Sequence, residues 1–328
     1  LLQNTVLITG SSGGMIGASY LRELYLQQQQ GVIDNIYDPK WSENISKDML
    51  NPIMTSIAVN DFFLRWQHFT EGNYSYPKDR GYAFERKLNE NTNYILDKRL
   101  GDYTEVEKMA IVPMMIFSPS ITNDAKRLII SSQPVSFMSY NNTSNERLPY
   151  MENIEFTRLF KDHNPYNLKF TSAIRMNATF PYILPIVSLP TSPALEIMDA
   201  GMRDNYGTRT SMQYIFHMRK WINENTGGIV IIRIYDGKRV DYTKQINTSL
   251  WRDLLSPLGG LVSNISKIHL QENDQMIQLI DEILDVPLDI VEYKLGDIKD
   301  AQKISMSFHL TPKEKRKCIE AFEDSQIQ

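Results

Sequence analysis

The first candidate for chemistry in this sequence is a serine among glycines, Gly10-Ser11-Ser12-Gly13-Gly14. The segment fits the pattern G-x-S-x-G with Ser12 at its centre. It follows the apolar run Val6–Ile8, which is typical of a buried strand, and it precedes Met15–Leu24, whose apolar residues have helical spacing. A strand, a sharp turn and a helix together form the context of a nucleophile elbow. The sequence therefore predicts that Ser12 is a nucleophile.

The glycines after the serine have expected roles of their own. The first turn of a helix presents N–H groups that have no acceptor inside the helix, and the helix dipole is positive there. We therefore expect the N–H of Gly13 to point at the oxyanion that forms when a carbonyl is attacked. We also expect Gly14 and Gly17, three residues apart, to give the helix a bare face that lies close against the sheet.

Two phosphate-binding motifs are excluded at this segment by their spacing. The dinucleotide pattern G-x-G-x-x-G needs a glycine where Ser12 stands, and a P-loop needs Gly followed by Lys where Met15-Ile16 stand. The alternative that stays open is a glycine-rich turn between a strand and a helix that has no chemistry.

The composition limits the other classes of function. The chain has 328 residues and a formal net charge of −4, so it lacks the basic character of a nucleic-acid-binding protein. Cys318 is its only cysteine, which rules out an intrachain disulfide and a thiolate metal cluster. No His or Cys pair has the spacing of metal ligands, and no apolar run is long enough for a transmembrane helix. We expect no cofactor, no metal and no nucleic-acid partner.

Strand and helix patterns alternate along the rest of the chain, which predicts an α/β fold with a sheet between helices. The predicted strands are Ala110–Phe117, Arg127–Ser131, Pro134–Ser139, Ile229–Tyr235 (buried on both faces), Leu288–Tyr293 and Ile304–Leu310. The predicted helices are Ile45–Trp66, Tyr82–Leu100, Ile154–Phe160, Asn167–Met176, Thr210–Asn225, Asn273–Leu284 and a last helix that begins at Thr311-Pro312. Tyr74–Gly81 and Asn141–Asn145 are predicted loops.

A second segment, Asp199–Gly207, reads Asp-Ala-Gly-Met-Arg-Asp-Asn-Tyr-Gly. Together with the elbow, and more loosely with Met176–Pro185, it resembles the patatin-like phospholipase family. In that family an Asp-Gly-Gly/Ala motif carries the second catalytic residue, with Asn six positions after the Asp and Pro two positions later. Asp199, Gly201 and Asn205 fit this motif.

The second segment also departs from the family at two positions. Ala200 stands where the family usually has Gly, and a side chain there is tolerated only if φ of Ala200 is negative. Gly207 stands where Pro is usual. The glycine-rich oxyanion loop that precedes the elbow strand in the family would lie before Leu1, so we expect the first strand and this loop to be missing from the chain.

The resemblance implies a fold and an activity. The fold is a patatin-like three-layer sandwich, with a central, mostly parallel sheet flanked by helices. One domain covers 1–328, with the elbow and the acid in 5–207 and the C-terminal part of the domain in 208–328. The activity is that of a lipid acyl hydrolase of the phospholipase A type, with a Ser12–Asp199 dyad and an acyl-enzyme intermediate. The implied partners are a lipid or acyl-ester substrate and the membrane periphery, and the location is the cytoplasm or that periphery.

Two other interpretations stay open. An α/β-hydrolase-type esterase would use Ser12 with a His and an Asp, in the chain order Ser, acid, His. His217, His269 and His309 follow Asp199 in the sequence, and His269 is the strongest candidate among them because it lies in a less defined stretch. Asp236-Gly237 could supply a rival acid, although it directly follows a strand and is typical of a turn. The chain could also be a catalytically inert patatin-like interaction module.

Overall fold

The computed structural model describes residues 1–61, 63, 66–71, 74–139, 151–179, 184–235, 268–294 and 308–325. The chain forms two compact units, Leu1–Thr210 and Ser211–Gln328, and the division falls inside one helix, Thr208–Asn225. The fold is mixed α/β, with parallel and antiparallel strand pairs. The proposal of a single domain over 1–328 stays a prediction.

The predicted elbow strand and helix are confirmed as β1 (Leu7–Thr9) and α1 (Ser12–Gln29). Met15, Tyr20 and Leu24 of α1 are buried. The strand is less buried than its sequence indicates, because Val6 is 70% exposed and all of β1 is only half-buried. In the described sheet β1 pairs with one strand, the parallel β4 (Met114–Ile116).

The segment between the elbow helix and β4 is mainly helical. It contains α2 (Pro39–Ile45), α3 (Leu50–Ser56), a π-helical turn at Ile57–Asp61, α4 (Arg80–Asn91) and α5 (Thr104–Lys108). The predicted helix Tyr82–Leu100 is too long, because Asn93 and Tyr94 have positive φ angles and turn the chain out of the helix. The predicted loop Tyr74–Gly81 is wrong, since β2 (His68–Glu71) and β3 (Tyr74–Pro77) form an antiparallel hairpin.

A five-stranded sheet follows in the order β7-β6-β5-β9-β8. Its strands are β5 (Ser120–Ile121), β6 (Arg127–Ile129), β7 (Asn153–Glu155), β8 (Val187–Leu189) and β9 (Leu195–Met198). β6 and β7 are parallel, whereas the other neighbours are antiparallel. The expectation of a mostly parallel sheet therefore does not describe these five strands. The strand predicted at Pro134–Ser139 is wrong, because Ser136–Ser139 is a helical turn.

Among the residues that the structure describes between β7 and β8 are two α-helices, α6 (Phe156–Leu159) and α7 (Phe170–Asn177). The prediction of a helix over Asn167–Met176 is confirmed in α7. The predicted helix Ile154–Phe160 is confirmed only in its second half, because its first residues belong to β7. The aromatic ring of Phe170 packs against Tyr103 and Phe117, so α7 contributes to the core behind β4.

A buried ion pair fixes the elbow helix to its neighbours. Arg22 of α1 and Glu107 of α5 are in contact, and both side chains are 1% exposed. Arg22 also donates a hydrogen bond to the carbonyl of Pro113 at 3.2 Å, just before β4, and its guanidinium lies 4.2 Å from the ring centroid of Tyr103. Glu107 accepts a second hydrogen bond from Ser132. These contacts hold the helix that follows Ser12 in one position.

The second unit is built around a small parallel sheet. Its elements are α8 (Thr208–Asn225), β10 (Ile229–Tyr235), α9 (268–283), β11 (Leu288–Lys294) and α10 (Pro312–Ser325). β10 pairs with β11 over seven residues. The expectation that both faces of β10 are buried is wrong, because Val230, Ile232 and Ile234 are exposed while Arg233 is buried and paired with Glu292.

The helices of the second unit and β11 agree with their predictions where they are described. Met212, Ile215 and Ile222 of α8 pack with Ile277 and Ile280 of α9 in one apolar cluster. Thr311 caps α10, since it exchanges hydrogen bonds with Glu314 as in a capping box. The predicted loop Asn141–Asn145 and the turn Asp236-Gly237 lie outside the described residues, as do residues 304–307 of the predicted strand Ile304–Leu310. The described end of that predicted strand, 308–310, is not in a strand, so the prediction is wrong there.

Candidate active site

Ser12 adopts the backbone conformation that a nucleophile elbow requires. It is the first residue of α1 and has a φ of 50°, whereas Ser11 before it is extended. Few residues other than glycine adopt this left-handed region, and holding one there costs about 1–3 kcal/mol. Strain of this kind concentrates at functional sites. The sharp turn lifts the Ser12 side chain out of the line of the strand.

The Ser12 hydroxyl donates a hydrogen bond to the Asp199 carboxylate, although 187 residues separate the two in sequence. Asp199 directly follows β9, and it is only 4% exposed. Its second carboxylate oxygen accepts a hydrogen bond from the N–H of Gly201 at 2.7 Å. The structure therefore brings together the two residues that the sequence analysis selected.

The backbone of Asp199 is held on both sides. Its N–H donates to the carbonyl of Thr179 at 3.1 Å, just beyond α7. Its carbonyl accepts a hydrogen bond from the hydroxyl of Ser120 in β5 at 3.1 Å. Because two neighbouring elements fix the main chain, the carboxylate has little freedom to move away from Ser12.

Burial changes the acidity of Asp199. Removal of the carboxylate from water raises its pKa from the ordinary 3.8 to about 6, and the hydrogen bonds from Ser12 and Gly201 offset part of that rise. A carboxylate with such a pKa is ionised at neutral pH but accepts a proton far more readily than a surface aspartate. That property suits a general base whose partner is a serine hydroxyl.

The loop Asp199–Gly207 explains the glycine at position 201. A Cβ on Gly201 would lie 2.9 Å from Oδ1 of Asp199 and 2.9 Å from Oδ1 of Asn205. A side chain at this position would therefore push the catalytic candidate aside. Ala200 is fully buried and is not among the described residues with positive φ, so its methyl group is tolerated.

Position 207, where this chain departs from the family motif, requires glycine. Its φ is 70°, and a Cβ there would lie 2.4 Å from the backbone nitrogen of Gly10. The Gly207 carbonyl accepts a hydrogen bond from the Thr9 hydroxyl at 2.8 Å, and the Ser11 hydroxyl donates to the carbonyl of Asn205. These contacts, which we call the loop clamp, join the end of the Asp199–Gly207 loop to the end of β1.

Asn177 supports the same turn, and the sequence analysis did not single it out. It is fully buried at the end of α7. Its amide nitrogen donates to the carbonyl of Gly10 at 3.0 Å, and its amide oxygen accepts from the N–H of Ser118 at 2.9 Å. The side chain thus links the elbow to the end of β4. Its only signal in the sequence is an amide at the end of an amphipathic helix.

Asp204 anchors the far side of the loop. It is fully buried, and its carboxylate accepts hydrogen bonds from the N–H groups of Arg209 and Thr210 at the start of α8. The guanidinium of Arg127 in β6 lies 3.5 Å from the same carboxylate and donates to the Thr210 hydroxyl at 3.0 Å. Asp204 therefore caps a helix and neutralises a buried arginine at once.

The glycines of the elbow are arranged differently from expectation. Gly13, Gly14 and Gly17 are exposed, and a Cβ at any of them would meet nothing within 4 Å. The expected close packing of Gly14 and Gly17 against a sheet is therefore wrong for the described part of the chain. Gly13 lies in the first turn of α1, where N–H groups have no acceptor inside the helix. Its role as oxyanion donor stays a prediction.

The histidines of the triad alternative, His217, His269 and His309, all belong to the second unit. In the first unit the hydroxyl of Ser12 has a carboxylate, and not an imidazole, as its acceptor. Within the described ranges no group of three or more His, Cys, Asp or Glu side chains could hold a metal ion. In the same ranges no helix has both the length and the apolar character needed to cross a membrane.

Two sequence comparisons with known proteins give no match. No protein-family model matches the chain. A search of curated proteins gives no significant match either.

Proposed function

We propose that the chain is a serine ester hydrolase that cleaves acyl esters of lipids with a Ser12–Asp199 dyad. The observation that carries the proposal is the strained Ser12, whose hydroxyl donates to a buried carboxylate with a pKa of about 6. A strained serine next to a base of matched acidity is the arrangement that activates a hydroxyl as a nucleophile.

In the first half-reaction Ser12 Oγ attacks the ester carbonyl carbon, and its proton passes to the Asp199 carboxylate. The electron pair of the carbonyl bond moves to the oxygen, and the Gly13 N–H at the helix N-terminus stabilises that oxyanion. The bond to the leaving alcohol then breaks, and Asp199 returns the proton to the alcohol oxygen. An acyl-serine and a free alcohol are the products.

The second half-reaction uses water. Asp199, ionised again, accepts a proton from a water molecule that attacks the acyl-serine carbonyl. When the intermediate collapses, the proton returns to Ser12 Oγ and a carboxylic acid leaves. The Gly201 N–H keeps one carboxylate oxygen of Asp199 occupied, so the other oxygen carries the proton in both halves.

The lipid specificity and the patatin-like three-layer sandwich are part of the proposal. They are supported by the sequence resemblance, in which Gly201 and Asn205 follow Asp199 at the spacing of that family. Other atoms of the protein lie so close to Gly201 and Gly207 that a Cβ would not fit at either position, which explains why both residues are glycine. We infer a phospholipase A-type reaction on a substrate presented at a membrane periphery, with no nucleic-acid partner.

Labelling with a fluorophosphonate probe tests the nucleophile. We expect the probe to modify the intact chain and peptide mapping to place the label on Ser12. The Ser12→Ala variant should not react, whereas the control Ser46→Ala, which changes a half-buried serine at the end of α2, should react normally. A label on another residue, or an undiminished label in the Ser12→Ala variant, would contradict the proposal.

Release of fatty acid from a phospholipid tests the substrate class and separates the dyad from the triad. Asp199→Asn should lower turnover by a factor on the order of 10² or more, because it removes the base. His269→Ala should leave turnover unchanged. Equal loss in both variants would favour a Ser-His-Asp triad.

A further inference from the structure

A basic cleft opens in the first unit, and the proposed hydrolysis does not use it. Its volume is about 830 Å³. Residues of α3 and α4 line it, together with Gln67 and Lys78, which flank the β2–β3 hairpin. The space is large enough for a phosphate-bearing headgroup.

The charge of this cleft is opposite to that of the whole chain. Among the described residues that line it, four are cationic (Lys47, Lys78, Arg86 and Lys87) and one, Asp48, is anionic. The carboxylate of Asp48 already accepts a hydrogen bond from the N–H of Leu50 at the start of α3. Because the formal net charge of the chain is −4, this concentration of cations is a local feature.

The four cations are only partly neutralised. Arg86 and Lys87 share one carboxylate, that of Glu90, at 3.4 and 3.3 Å. Lys47 donates to the amide oxygen of Asn44, which is uncharged. Lys78 makes no ion pair with the described residues, and its ammonium lies 5.9 Å from the ring centroid of Tyr82. The cleft therefore keeps positive charge available for an anion.

Exposed apolar side chains lie in the chain close to residues that line the cleft, and we call them the apolar rim. They are Met54, Val59, Phe63 and Trp66. Val59 itself lines the cleft, and the N–H of Phe63 donates to the Val59 carbonyl one turn later. Trp66 precedes the lining residue Gln67 and is 70% exposed, while Phe63 is 73% exposed. Several large apolar side chains exposed together indicate an interaction surface.

We propose that the basic cleft and its apolar rim bind an anionic lipid surface. The cations attract phosphate groups, and Trp66 and Phe63 enter the headgroup region, where amphipathic and aromatic side chains are stable. A nucleic acid would use the charge but would leave the aliphatic part of the rim in water. In naming a lipid surface the proposal rests in part on the proposed hydrolase function, because that function requires access to lipid.

Vesicle flotation of the full chain carrying Ser12→Ala tests this surface without catalysis. We expect binding to vesicles of phosphatidylcholine mixed with phosphatidylglycerol, and much weaker binding to phosphatidylcholine alone. Added salt should weaken the binding to the mixed vesicles. Lys78→Gln combined with Lys87→Gln should lower the partition coefficient about 25-fold, because each basic side chain near an anionic surface contributes about fivefold.

A separate substitution tests the apolar rim. Trp66→Ala should lower binding to mixed vesicles by a factor on the order of ten, since it removes an aromatic ring from the interface. Two matched controls change the same residue types elsewhere, namely Lys108→Gln combined with Lys161→Gln, and Trp221→Ala, whose side chain is also exposed. Both controls should bind as the parent does, and unchanged melting temperatures should confirm that all variants are folded.

Three results would overturn the proposal. The first is absence of binding to the mixed vesicles, and the second is an equal loss in cleft variants and controls. The third is binding of duplex DNA or of soluble glycerophosphate with no preference for vesicles, which would assign the cations to another anion. Because every protein in the assay lacks the Ser12 hydroxyl, these results are independent of fluorophosphonate labelling, and either proposal can fail alone.

Discussion

Replacing Asp199 by Asn should make the protein more stable at neutral pH while it lowers turnover by a factor on the order of 10² or more. Asn has the shape of Asp, so its amide oxygen can still accept the hydrogen bond from Gly201 and its amide nitrogen can donate to Ser12. What the substitution removes is a buried negative charge. Stability rises and turnover falls for the same reason, because the negative charge of Asp199 is needed for the reaction but is unfavourable in the buried site.

The magnitude follows from the pKa of Asp199. Burial raises this pKa from 3.8 to about 6 in the folded protein. Between these values the folded state binds more protons than the unfolded state, so the free energy of unfolding falls as the pH rises through them. A shift of about two units corresponds to about 3 kcal/mol, which the ionised carboxylate costs at pH 7. Asn carries no charge at any pH and avoids this cost.

Urea unfolding of both proteins at two pH values measures the effect. At pH 7 we expect Asp199→Asn to raise the free energy of unfolding by about 3 kcal/mol. Below pH 3.8, where Asp199 is protonated in both states, the two proteins should have equal stability. Turnover of the parent protein should also fall as Asp199 is protonated, to about one tenth of its plateau at pH 5.

Asp204→Asn is the matched control, because it makes the same substitution in the same loop with the opposite expected sign. Asp204 is ion-paired with the fully buried Arg127, so its loss should lower the free energy of unfolding by about 3–5 kcal/mol. A destabilised Asp199→Asn at pH 7, or a stability difference that does not depend on pH, would refute the reasoning. Retained turnover would refute the role of Asp199 as base.

Three further comparisons of variants test the packing around the site. Gly207→Ala should lower the free energy of unfolding in urea by at least about 3 kcal/mol, because it adds a Cβ 2.4 Å from a backbone nitrogen. Gly14→Ala adds a Cβ that meets open space, so it should be neutral or stabilising by up to about 1 kcal/mol. Glu107→Gln should cost about 3–5 kcal/mol, since it leaves the charge of Arg22 buried, and a neutral result would show that this pair is dispensable. Ser12→Gly should be about 1 kcal/mol more stable than Ser12→Ala, because glycine accepts a φ of 50° without strain, and the reverse order would contradict the left-handed turn.

The elbow could be predicted from sequence because its signals are local. A strand, a small-residue turn and a helix follow one another within one stretch, and each has its own residue preferences. The link between Ser12 and Asp199 came from the resemblance, and it could not be derived from any neighbouring residue. Regular spacing of apolar residues also allowed four other elements to be predicted from the sequence, namely β6, α7, α8 and β11.

The parts that could not be predicted depend on contacts between distant segments. The requirement for glycine at position 207 becomes clear only when Gly10 is seen beside it. Nothing in the sequence around Asn177 indicates a special role, because its two hydrogen bonds are made to distant segments, at the elbow and at the end of β4. The β2–β3 hairpin was missed because its residues are aromatic and polar, a composition that also suits a loop. The direction of strand pairing in the five-stranded sheet is likewise set by the chain path.

The loop clamp limits how the two catalytic candidates can separate. The Thr9 hydroxyl donates to the Gly207 carbonyl at 2.8 Å, and the Ser11 hydroxyl donates to the Asn205 carbonyl, so the residues just before Ser12 are tied to the loop that begins at Asp199. A movement that carries this loop away from the elbow must break these bonds as well as the bond from Ser12 to Asp199. The three bonds should therefore open together, as one local unit.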